Sequence, residues 1–244
     1  MEKSVLNTMR ADWDQRAKEN AQHFIATERN SWEDRDFFRS GEINVANEVL
    51  PDMPGICGGH RSPLDLSVLE IGCGVGRMTA MLSRVFGKVT AVDVSPEMVT
   101  RARENLKGFS NVSIVLGDGA TLAGLANSSQ DFAFSFIVFQ HIPDIGVIRS
   151  YCGEVFRVLR PGSLFKFQVN GSFLVQGAVA DTWVGVSLSE QDAKDLCEAT
   201  GFIYERSHGA GTQYFWLWFR KPGVDSSVSS PTLADPPRLS TSTG

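Results

Sequence analysis

Basic residues are in the minority, with 23 Lys and Arg against 28 Asp and Glu in 244 residues, a formal net charge of −5. A surface built for nucleic acid carries clustered Lys and Arg on one face. No stretch of this chain does, so a nucleic-acid partner is not expected. Cysteine is scarce too. Cys57, Cys73, Cys152 and Cys197 stand far apart and form no C-x-x-C pair, which speaks against a zinc site or a disulfide framework and for reduced thiols in a cytosol. His23, His60 and His208 have no ligand spacing, so no metal is expected. No apolar run approaches the roughly 20 residues that span a bilayer. The opening MEKSVLNTMRADWDQR lacks the apolar stretch of a secretory signal. No internal repeat is apparent.

What the chain does have is core-forming material. Hydrophobic residues make up 42%, including 16 Phe and 5 Trp, enough for one α/β domain with extra elements. Residues 1–50 read as a helical cap: Trp13, Ala17, Phe24 and Ile25 share a face, and a second helical stretch from near Ser31 carries Trp32, Phe37, Phe38 and Val45. Residues 51–65 hold three Pro and three Gly and read as a linker. From Leu66 the pattern changes to short apolar runs, Val68–Ile71, Val89–Val92, Val112–Leu116, Phe132–Phe136 and Leu164–Val169. They lack clean alternation, as parallel strands buried on both faces do.

Helical periods lie between these runs. Met78, Met81, Leu82 and Val85 form one, and Ile148, Tyr151, Cys152, Val155 and Phe156 another, which Arg160-Pro161-Gly162 is expected to stop. Strand and helix in alternation predict a doubly wound parallel sheet. Near the end, Ser189 and Asp192 read as a capping box and Gly201 as the close of that helix. The runs Phe202–Arg206 and Gln213–Phe219 predict a hairpin, hence an antiparallel last strand. Residues 66–221 make up the main domain. Residues 222–244, rich in Ser, Thr and Pro, read as a disordered tail.

The stretch that carries chemistry is VLEIGCGVGRMT, Val68 to Thr79. A strand runs into Gly72, Gly74 and Gly76, and an amphipathic helix follows. Glycines allow a sharp turn and close approach of a ligand to the main chain. In an open α/β sheet this crevice is where ligands sit. The dinucleotide fingerprint is G-x-G-x-x-G, but here the third glycine comes one residue early and Arg77 takes its place, which argues against a nicotinamide oxidoreductase. The next strand ends in AVDVSPEMV with Asp93 at its tip, where a carboxylate can accept from both hydroxyls of a ribose; Ser95 and Pro96 follow as N-cap and N1 residues. The third strand ends in IVLGDGATL, placing Asp118, and DFAFSFIVFQHIPD and FRVLRPGSLFKF supply the fourth and fifth.

In order and spacing, residues 66–169 resemble the class I S-adenosylmethionine-dependent methyltransferases, of the methyltransferase type 11-like kind that act on small molecules. The resemblance implies an α/β, Rossmann-like, doubly wound seven-stranded sheet of order 3-2-1-4-5-7-6, its last strand antiparallel, under an N-terminal helical cap. It implies S-adenosylmethionine as cofactor. Gly72, Gly74 and Gly76 would shape the loop round its methionine part, with Glu70 orienting the loop or reaching the amino group. Asp93 would hold the ribose, and Val94 and Met98 would pack on the adenine. Asp118, Gly119 and Ala120 would line the adenine edge, Phe136 would sit near the methionine portion, and Arg16 would pair with the cofactor's carboxylate.

His141, just past the fourth strand, is the candidate general base. Trp13 and Gln140 are the acceptor-side candidates. The N-P-P-Y tetrapeptide of enzymes acting on base or amide nitrogen is missing, which counts against DNA-adenine and glutamine-amide acceptors; the favoured reaction is methylation of a small molecule on oxygen. Methylation on carbon or nitrogen of a lipid, quinone or other metabolite, and cofactor binding without catalysis, stay open. The cap and the stretch 169–187 are the expected substrate walls.

Overall fold

Burial on both faces sets the central strands apart. In the computed structural model, which describes residues 2–172 and 180–223, the strands are β1 (Ser67–Ile71), β2 (Lys88–Asp93), β3 (Val112–Leu116), β4 (Gln130–Ser135), β5 (Leu159–Val169), β6 (Ile203–His208) and β7 (Phe215–Arg220). They form one seven-stranded sheet of order β3-β2-β1-β4-β5-β7-β6. β1 to β5 pair in parallel, while β7 runs antiparallel to both β5 and β6. This is the order and sense the resemblance implied. The helices are α1 (Glu2–Ile25), α2 (Asp34–Glu48), α3 (Met53–Ile56), α4 (Thr79–Val85), α5 (Pro96–Asn105), α6 (Ile145–Val158) and α7 (Glu190–Thr200).

Two apolar layers sandwich the sheet. On one face Phe132, Phe134, Leu164 and Trp216 pack against Val45 of α2 and Leu82 of α4. On the other Phe165, Phe167, Leu217 and Phe219 pack against Cys152 and Val155 of α6 and Leu196 of α7. Alternate residues of β5 and β7 serve opposite layers, so β7 is apolar from Phe215 to Phe219 and β5 carries apolar side chains on both faces, at Leu164, Phe165 and Phe167. Local chemistry ends the helices where it should. Ser95 caps α5 by accepting from the Met98 N–H, Ser189 and Asp192 form the capping box of α7, and Gly201 closes it in the left-handed conformation at φ 81°.

Several boundaries differ from the sequence reading. The second cap helix starts at Asp34 rather than near Ser31. α6 ends at Val158, before Arg160-Pro161-Gly162, and those residues lie inside β5. The chain turns extended at Leu159, with Pro161 two residues beyond as a stop signal, and the register slips between Gln130 and Phe132 to take up the Pro-Gly. β4 stops at Ser135, leaving Phe136 beyond the strand, and Ile137 adopts φ 55°, an outlier for a β-branched residue.

Residues 51–65, read as a linker, contain α3 between short 3-10 turns at Leu50–Asp52 and Pro63–Asp65. What orders them is Asp52, which accepts from Trp218 Nε1 at 2.9 Å, pairs with Lys166 at 3.0 Å and also pairs with Arg206. The tail from residue 224 and residues 173–179 of the expected substrate wall lie outside the described residues.

Candidate active site

The crevice forms where β1, β2 and β4 end. Past Ile71 the chain turns back on β2: the N–H groups of Gly72 and Cys73 donate to the Val92 carbonyl at 2.7 and 3.1 Å. Gly72 has φ 78°, and a Cβ there would lie 2.1 Å from Val138 Cγ2; one on Gly74, at φ 54°, would lie 2.7 Å from Ile25 Cδ1. Only glycine fits either position. The Gly74 N–H donates to Asp93 Oδ2 at 2.8 Å and the Ser95 N–H to Oδ1 at 2.9 Å. Burial raises the Asp93 carboxyl above its ordinary range, against these N–H groups, which lower it. Glu70 is buried, accepts from the Thr79 hydroxyl at 2.6 Å, and is pushed up to about 7 by burial. It ties β1 to α4 while lining the crevice.

A cavity here is lined by Glu70, Gly72, Gly74, Asp93, Val94 and Met98, with Trp13 and Ile25 of α1 over it. A wider groove runs from it across the sheet, past Gln140 and Trp183 toward Trp216. Phe24, Ile25, Arg77, Phe136, Ile137 and His141 line both, so the two spaces adjoin. The cradle fits the cofactor implied by the sequence. Its glycines leave the main chain open to close approach. Each Asp93 oxygen spends one lone pair on the loop, leaving acceptor capacity for a pair of hydroxyls.

Other expected residues stand apart. Asp118 is exposed and accepts from Ala120 N–H at 2.9 Å and from Thr121 N–H and Oγ1 at 2.7 and 2.6 Å, capping its own loop outside the cavity lining. Gly119 packs near Val94 and Leu6, and neither it nor Ala120 lines the cavity. Gly76 faces Leu106, whose Cδ1 lies 2.6 Å from where its Cβ would stand. Arg16 donates to the carbonyl and hydroxyl of Thr182, both at 3.1 Å, and lies over the rings of Trp13 and Trp183 at 4.8 and 5.3 Å. It lines neither space. Phe136 stacks on Trp216, with centroids 5.2 Å apart and planes at 15°.

His141 closes a directional chain of hydrogen bonds. The Ile137 N–H donates to Gln168 Oε1 at 3.1 Å, and Gln168 Nε2 donates to Gln140 Oε1 at 2.7 Å. Gln140 Nε2 then meets His141 Nε2 at 3.0 Å, and His141 Nδ1 meets the Trp183 carbonyl at 2.5 Å. A carbonyl only accepts, so Nδ1 carries the proton and Nε2 is the acceptor. Burial holds His141 down at about 4, and the Trp183 carbonyl opposes it.

This has a measurable result. The unfolded chain takes up a proton at His141 below 6.5 while the folded protein does so only near 4. Stability credited to neutral His141 is therefore whole above pH 6.5 and lost as the pH falls toward 4, roughly 3 kcal/mol in all. Glu70 acts oppositely, since its folded carboxyl is the more basic one. Comparing His141→Asn with the native chain isolates the histidine. In urea titrations the variant loses roughly 3 kcal/mol less between pH 7 and pH 4; parallel profiles would refute the assignment.

Three site residues escaped the sequence reading. Gln168, fully buried in β5, is a polar side chain in an apolar strand, and such a group must find partners. Ile137 gave no signal, because its backbone conformation is set by the packing round it. Arg77 entered only as a missing glycine, yet a cation just ahead of a helix N-terminus, here that of α4, opposes the helix dipole and asks for another reason to be there.

Residues 68–162 match the family model described as a methyltransferase domain. A protein-L-isoaspartate O-methyltransferase of Methanococcus maripaludis is 35% identical over 106 residues, covering 38% of this chain and 50% of that protein. A ubiquinone biosynthesis O-methyltransferase of Xanthomonas oryzae pv. oryzae is 33% identical over 112 residues, 44% of this chain and 46% of that one. The chain spans about half the length of these curated relatives. The solved structure of phosphoethanolamine N-methyltransferase 1 of Haemonchus contortus, in complex with phosphoethanolamine and S-adenosylhomocysteine, superposes with a TM-score of 0.62 over 93% of this chain and 51% of that one, at 14% identity. That is a likeness of fold.

Proposed function

We propose that this chain, whose residues 68–162 match a methyltransferase domain, transfers a methyl group from S-adenosylmethionine to an oxygen of a small-molecule acceptor. The observation that carries the reading is that the two spaces adjoin. The glycine and Asp93 cradle and the wider groove share Phe136, Ile137 and His141 in their linings, which sets room for a second ligand beside the cofactor cradle. S-adenosylmethionine, when bound, supplies a methyl group on an electrophilic sulfonium. The protein's part is then to hold the partners in line, worth up to roughly 7–11 kcal/mol.

Asp93 and the glycine loop fix the donor end. Trp13, edge-on to His141 with centroids 5.2 Å apart, and Trp183 wall off water. Neutral His141 presents Nε2 as an acceptor, and an acceptor hydroxyl that displaces the Gln140 amide takes up that lone pair. The 42% hydrophobic, net acidic composition and the aromatic groove support a small molecule over a nucleic acid.

The test is release of S-adenosylhomocysteine across pools of small hydroxylated metabolites. His141→Ala is expected to lower turnover by about 10²–10⁴-fold while leaving affinity for S-adenosylhomocysteine intact. Native turnover in the variant removes the base role. Tight cofactor binding with no release on any acceptor leaves a binding protein instead.

A further inference from the structure

Arg77 is buried at 5% exposure and lines both the cofactor cavity and the groove. It is also underused. Nη1 donates to the Ser40 hydroxyl at 2.9 Å and to Asn44 Oδ1 at 2.6 Å, both neutral groups of α2. Nε is buried without a partner, and Nη2 makes no hydrogen bond among the described residues. Nor does the guanidinium form an ion pair among them. Glu70, a carboxylate in its neighbourhood, spends Oε2 on Thr79.

An unpaired buried cation with an orphaned donor is costly, and this one is held rigidly. α2 packs so closely on its backbone that a Cβ at Gly41 would lie 2.4 Å from the Arg77 carbonyl and 2.7 Å from its Cγ. The free donors are not scattered. Nε–H and Nη2–H lie on the same edge of the planar group, the edge that takes a carboxylate side-on in two parallel bonds. Arg16, which the sequence suggested for such a role, is instead committed to Thr182.

We infer that Arg77 is the carboxylate-receiving cation of the crevice, its Nε and Nη2 left without partners, while Ser40 and Asn44 hold Nη1, for an anion that arrives with a ligand. Two ligands could bring that group, the amino-acid end of the cofactor or an acidic acceptor in the groove. The inference rests on the cofactor reading above.

The experiment measures binding by calorimetry to the full chain and to Arg77→Gln, with Arg77→Lys beside them. The probes are S-adenosylhomocysteine, methylthioadenosine, which keeps the nucleoside and thioether but lacks the amino-acid end, and benzoate added to protein saturated with S-adenosylhomocysteine. If the cofactor supplies the carboxylate, Arg77→Gln loses about 100-fold for S-adenosylhomocysteine and nothing for methylthioadenosine, and Arg77→Lys recovers part of the loss. If the acceptor supplies it, S-adenosylhomocysteine is unaffected and benzoate binding disappears in the variant. Either result supports the assignment. Equal loss for both nucleosides overturns it, since Arg77 would then only hold the fold, and so does native affinity for all three probes. A native chain that binds neither nucleoside refutes the cofactor reading itself, a different failure.

Discussion

Asp93→Asn lowers affinity for S-adenosylhomocysteine by about 100-fold or more, a loss of roughly 3 kcal/mol. The substitution keeps the volume and removes one acceptor, and in this site it does so twice over. Both oxygens of Asp93 already accept main-chain N–H groups, from Gly74 at 2.8 Å and Ser95 at 2.9 Å. An amide nitrogen on either side sets donor against donor. The loop that cradles the ligand then loses its anchor just as the ligand's hydroxyls lose theirs. Because burial raises the native carboxyl above its usual range, affinity of the native chain also falls on acidification as Asp93 takes up a proton, while the variant lacks that dependence. Calorimetry at neutral pH checks the main effect, with circular dichroism to confirm the fold. Equal affinity in a folded variant would remove Asp93 from the ribose contact.

Gly72→Ala is the second large effect, and it is read in stability. The added methyl lands 2.1 Å from Val138 Cγ2, in a conformation at φ 78° that side chains disfavour. Clash and backbone strain together cost roughly 3 kcal/mol, which in a domain of this size lowers Tm by about 10 °C. Val138 follows Ile137, whose φ is already 55°, so there is little give on that side. A Tm within a few degrees of native would show that Val138 swings aside, and the loop would then be softer than its contacts imply.

The fold was readable because its signals are local. Apolar runs such as Val112–Leu116 matched their strand end for end, and the Ser189–Asp192 box and Gly201 closed α7 where expected. The glycine loop and Asp93 were readable for the same reason, since both sit at strand tips where sequence order fixes position. What sequence hid depends on distant partners. That Arg160-Pro161-Gly162, which follow the end of α6, are taken into β5 depends on the pairing of that strand with β4. The short turns at 50–56 are ordered by Lys166, Arg206 and Trp218, more than a hundred residues away. The pairing of Arg16 with Thr182 spans 166 positions, and nothing near Arg16 announces it. Asp118 occupies the expected strand tip, yet Thr121 within its own loop claims its carboxylate.

The outermost strand guards the sheet against copies of itself. Among the described residues β6 has only β7 as neighbour, so its far side offers main-chain groups without a strand partner there, the template on which a second chain could add a strand. Its pairing slips between Tyr204 and Arg206, and such a bulge bends and twists an edge out of flatness. At the slip stand Glu205, bound to Arg220 at 2.7 Å, and Arg206, turned inward to Asp52. The ion pair that orders the turn before α3 thus also anchors charge on an edge strand of the sheet.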